Sequence, residues 1–153
     1  MKNLLALVAA SVLVSPVSAQ TVTNCDRWEA NAQNLAEPWE NNSRTFANGE
    51  VRLAVLDTLE PAAGAFHLLV LSPPYSELGD RQCRVVSATP GGIGFAGILF
   101  DDMTAGYDPE TGLGLDLPVV VYLPETADFQ TVGLGLTINQ ATGDIGAKIY
   151  PVD

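Results

Sequence analysis

The chain is poor in the residues that build metal and nucleophile sites. Among 153 residues there is one histidine, His67, and two cysteines, Cys25 and Cys83. A zinc centre needs three or four nitrogen, sulfur or oxygen ligands, and one imidazole with two cysteines that can bridge each other does not supply them. Positive charge is scarce as well. Seven Lys and Arg stand against 18 Asp and Glu, for a formal charge of −11. Such a balance argues against binding nucleic acid or anionic lipid, where attraction to phosphate supplies most of the affinity. Long hydrophobic runs are missing too: Gly, Asp or Pro interrupts each before the ~20 residues that a spanning helix needs, so no membrane insertion is expected. There is no internal repeat, no linker and no recognisable serine elbow motif.

The first residues read as an export signal. Lys2 precedes the apolar run LLALVAASVLV (4–14). SPVSA then places Val17 and Ala19 like the small residues of a signal-peptidase site. Cleavage is expected after Ala19, leaving one β-rich domain over 20–153 in a periplasmic or secreted location. Cys25 is not a lipid anchor, because Asn24 precedes it and the better cleavage site lies upstream. An even cysteine count in an oxidising compartment favours a Cys25–Cys83 disulfide. Closing that loop is worth about 4 kcal/mol on the chain-entropy model. The sequon NNS (41–43) matters only in a host that glycosylates exported proteins.

One short helix is expected near the start. Thr23 with Asp26 resembles a capping box, and Cys25, Trp28, Ala32 and Leu35 recur at helical spacing until Pro38, which makes Trp28 a core residue. From Glu50 the period changes to two. EVRLAVLDT, AFHLLVLS, RQCRVVSA and IGFAGILFDD lead to LGLDLPVVVYL (113–123), VGLGLTIN (132–139) and IGAKIY (145–150). DPETG and NQATGD place glycine where hairpin loops want a left-handed residue. The expected fold is a single antiparallel β-sandwich or small barrel of about seven to eight strands with one short N-terminal helix.

Two motifs invite stronger readings. GIGFAG (92–97) is a literal G-x-G-x-x-G, but its glycines enter a strand rather than a helix, so they serve a turn, a bulge or close packing. Asp101, Asp102, Asp108 and Glu110 cluster around a hairpin. Calcium takes six to eight oxygens, and this spacing fits no EF-hand loop, so a turn or solvated role is the simpler reading. No cofactor is expected.

Register suggests a candidate binding site. Pairing Leu123 with Val132 and Ile138 with Ile145 sets Tyr122, Gly133 and Tyr150 in one row of the outer face, with Val120, Gly135 and Lys148 in the next. The tyrosines cover the bare glycine backbone, or the N-terminal segment with Trp39 packs there, or they offer a platform to a peptide or sugar ring. The expected function is thus a small exported non-catalytic binding, inhibitory or interaction module, with a protein, peptide or carbohydrate partner. The alternative is a small carboxylate-dependent hydrolase or lyase using Asp101, Asp102 and His67.

Overall fold

The computed structural model describes residues 21–152. The export signal expected over 1–19 lies outside them. The described chain is mainly β, with strands β1 (Thr21–Asn24), β2 (Ser43–Phe46), β3 (Val51–Asp57), β4 (Phe66–Tyr75) and β5 (Arg81–Ser87) in the first half. The second half supplies β6 (Gly97–Ile98), β7 (Thr104–Asp108), β8 (Gly112–Leu123), β9 (Asp128–Ile138) and β10 (Ile145–Pro151). They form two five-stranded antiparallel sheets rather than a closed barrel. The first has the order β1-β5-β4-β3-β2; in the second, β10-β9-β8 is completed by β6 and β7, which pair with successive stretches of β8.

Alternation decides what each face buries. Val51, Leu53 and Val55 of β3, with Leu68 and Val70 of β4, join the odd-numbered apolar residues of β8 and the even-numbered ones of β9 in one core cluster. Leu115, Leu117, Leu134 and Leu136 are each no more than 2% exposed. At about 1.5–3 kcal/mol per fully buried aliphatic side chain, this double row is the main stabilising element.

The expected N-terminal helix is absent. Residues 21–24 are a strand, and two short 3₁₀ turns follow, Trp28–Ala30 and Ala32–Asn34, separated by the extended Asn31. The Asn34 amide donates to the Trp28 and Glu29 carbonyls at 2.9 and 3.1 Å, taking acceptors that a helix would give to its own backbone. Trp28 is 55% exposed and no core residue; the segment instead buries Glu29 and Asn34.

Residues 25–35 form a strap that runs from β5 to the edge of β3 across the outer face of the first sheet, and residues 36–42 follow that edge. The Cys25–Cys83 disulfide ties its start to β5, and Leu35 bridges Leu56 of β3 near its far end. Under it, the outward-facing Leu56, His67 and Ser87 are at most 3% exposed.

The hairpin β9–β10 has the expected register, Ile138 opposite Ile145. In hairpin β8–β9 the expected register is displaced by four residues, because Leu123 pairs with Asp128 and Val119 with Val132. The exposed residues DFQT extend β9 back to a tight turn in which Ala127 takes φ 51°. A shift by an even number leaves every side chain on its expected face and changes only its neighbours.

Candidate functional site

The outer face of the second sheet faces solvent. Its rows, read across β8, β9 and β10, are Gly114–Thr137–Gly146, then Asp116–Gly135–Lys148, then Pro118–Gly133–Tyr150. Tyr150 therefore meets Gly133 as expected, and its ring lies so close that a Cβ on Gly133 would collide with it. Tyr122 does not share the row. It stands opposite Phe129, ring centroids 5.3 Å apart, four residues (about 13 Å) along β8 from Pro118. The pair of tyrosines around one glycine is thus replaced by Tyr150 alone, and Asp116 occupies the place expected for Val120.

The new neighbours change the chemistry. The Tyr150 hydroxyl donates to Asp116 Oδ1 at 3.0 Å. Partial burial and that carboxylate raise the phenol's pKa, so it remains a hydrogen-bonded donor at neutral pH. Beside it, Gly114, Asp116, Gly135, Thr137, Gly146 and Lys148 line a depression of about 400 Å³. A carboxylate and an ammonium thus stand on either side of a bare backbone floor. Lys148 makes no hydrogen bond or ion pair among the described residues.

Two glycines of this face are unexplained by the fold. Gly106 of β7 pairs with Gly114 of β8. A Cβ on Gly106 would meet nothing within 4 Å, and one on Gly114 only the Gly106 carbonyl at 3.7 Å. Neither has a positive φ. Glycine inside a strand costs about 0.5–1 kcal/mol relative to alanine, and here the interior demands none. A strand glycine marks a bulge, a tight bend or a place where a ligand or another backbone comes close.

His67 belongs to a different, closed arrangement. Its Nδ1 lies 2.9 Å from Ser87 Oγ. Above them in the strap, Arg27 Nη2 pairs with Glu29 Oε1 at 2.9 Å, while Glu29 Oε2 is buried without a partner. Burial lowers the His67 pKa, Glu29 opposes that shift and Arg27 adds to it, so the imidazole is neutral at pH 7. Serine, imidazole and carboxylate stand near one another, with Ser87 3% exposed.

The structure does not bring Asp101 and Asp102 to this histidine. Asp101 pairs with Arg44 on β2 at 3.4 Å, two strands from His67. Asp108 accepts the Glu110 and Thr111 amides at 2.8 and 3.0 Å, which hold its carboxyl below the usual range, and so caps the β7–β8 turn. Among the described residues no three His, Cys, Asp or Glu side chains are grouped to hold a metal ion. GIGFAG runs from a turn at Gly92, φ 83°, into β6 and a 3₁₀ turn, not into an α-helix.

Asp116, Gly106 and Gly114 are the site residues that sequence reasoning missed. Gly106 and Gly114 could have been found by asking which strand glycines fall on the polar parity. Compared with known proteins, the chain matches no family model, no curated protein and no solved structure.

Proposed function

We propose that the chain is an exported, non-catalytic binding module built as a two-sheet sandwich. It presents the open face of β7–β10 to a protein, peptide or carbohydrate partner. The observation that carries this reading is the pair Gly106 and Gly114, kept bare where side chains would fit, next to a row that offers Asp116 and Lys148 and a second that offers the Tyr150 ring. A flat backbone floor with a polar rim and one aromatic edge suits an extended chain or a sugar ring laid along the strands. Export agrees with the Cys25–Cys83 disulfide. Among the described residues, no helix is long and apolar enough to cross a membrane.

The test fills the floor without disturbing the core. Gly106→Thr with Gly114→Thr adds two side chains suited to strands, so the melting temperature should hold or rise slightly. Capture of partners from the native extracytoplasmic extract, read by mass spectrometry, should be lost. A filled variant that captures the same partners as the parent refutes the proposal.

A further inference from the structure

We infer a second binding site on the opposite side of the molecule, for a small amphipathic carboxylate held in the groove beside the strap. Where the strap leaves the outer face of the first sheet, a cavity of about 470 Å³ opens. Its floor is aliphatic, with Leu35, Ala54, Leu69 and Leu71, and its walls include Trp39 and Arg52. Leu35, Leu69 and Leu71 are only half-buried, and Trp39 is 61% exposed, so the apolar surface is left open to solvent. The interior has no use for it: the main core lies on the other face of the same sheet.

Charge names the other half of the ligand. Four of the six basic side chains in the described residues are committed: Arg27 to Glu29, Arg44 to Asp101, Arg81 to the Gly49 carbonyl and Arg84 to the Cys83 carbonyl. Arg52 makes no hydrogen bond or ion pair among the described residues, although the chain carries 18 carboxylates. Glu50, two residues before it in the chain, accepts a hydrogen bond from the Tyr75 hydroxyl at 2.6 Å. A guanidinium left free on the rim of an aliphatic groove is a fork for a carboxylate whose apolar body lies on the leucines and against the Trp39 ring. A bilayer is the wrong source for that ligand, because the acidic remainder of the surface repels an anionic membrane.

The probe is decanoate, with decanol as its uncharged twin. In a Trp28→Phe background Trp39 is the single tryptophan reporter. Decanoate should shift Trp39 emission to the blue and raise the melting temperature, binding at least about tenfold more tightly than decanol, as expected for one charge-assisted hydrogen-bonded pair. Arg52→Gln should bring decanoate down to the level of decanol and leave decanol unchanged. Because the Arg52 side chain is exposed and makes no hydrogen bond or ion pair among the described residues, that variant should fold as the parent does, which circular dichroism checks. The Gly106→Thr, Gly114→Thr variant should bind decanoate normally, which separates this site from the one on the second sheet. Equal binding of decanoate and decanol, an Arg52→Gln variant within about twofold of the parent, or co-sedimentation with phosphatidylglycerol vesicles would each overturn the inference.

Discussion

Replacing both Cys25 and Cys83 by alanine removes the tie between the strap and β5 without leaving a reactive thiol. The sequence separation of 58 sets the size of the effect. On the chain-entropy model, opening a loop of that length returns about 4 kcal/mol of entropy to the unfolded chain. That is a large part of the roughly 5–15 kcal/mol that an ordinary domain possesses. With an unfolding entropy of about 2.1 cal/mol/K per residue over ~130 residues, the melting temperature should fall by about 15 °C. Differential scanning calorimetry on the parent and the double variant measures it directly. A second readout locates the damage: amide exchange at His67 and Ser87, sealed beneath the strap, should accelerate more than at Leu134 and Leu136 between the sheets. A fall of less than about 5 °C, or equal acceleration in both places, would show that the disulfide does not hold the strap down.

The buried histidine makes stability depend on pH. Its folded pKa lies below the ordinary 6.5, so its contribution is full above 6.5 and is lost as pH falls from there through the folded value, because the unfolded chain then binds the extra proton. Urea unfolding between pH 7.5 and 5 should show a loss of up to about 1.4 kcal/mol per pH unit that is missing in His67→Gln; parallel profiles would refute it. Arg27→Met should strand the Glu29 carboxylate, which is 4% exposed, and cost about 2 kcal/mol. That is less than for a fully buried pair, because the Arg27 side chain is 40% exposed. Adding Glu29→Gln should restore part of the loss in the same denaturation assay, and an Arg27→Met variant as stable as the parent would refute the reading.

How much of this was legible in the sequence depended on whether a local signal existed. Strands β8, β9 and β10 announce themselves by strict alternation, and the β9–β10 register follows from a loop in which Asn139 caps the turn and Gly143 takes φ 84°. The β8–β9 register was not legible, because its turn contains neither glycine nor asparagine and places Ala127 at positive φ, which residue type does not reveal. The spacing of Cys25, Trp28, Ala32 and Leu35 imitated a helix. The side chains that decide the segment are the buried Glu29 and Asn34, which an apolar pattern ignores. The disulfide could be read from the even cysteine count together with the export signal. The surroundings of His67 could not, since Ser87 arrives from another strand and Glu29 from the strap. On the candidate face, parity was enough to put Gly133, Gly135, Lys148 and Tyr150 together, whereas the four-residue displacement decided that Asp116 and not Val120 would stand among them.

Strand β7 has one further consequence. It is exposed along its whole length, and among the described residues it pairs only with β8, so its other side offers unpaired amides and carbonyls to any passing chain. The acidic cluster brackets this edge, Asp101 and Asp102 just before it and Asp108 with Glu110 at its end. Two molecules approaching edge to edge in antiparallel fashion would set the acids at the start of one strand against those at the end of the other. Like charges directly opposed across a ladder disfavour the pairing. Carboxylates at both ends of β7 thus make this open edge a poor partner for the same edge of a second copy.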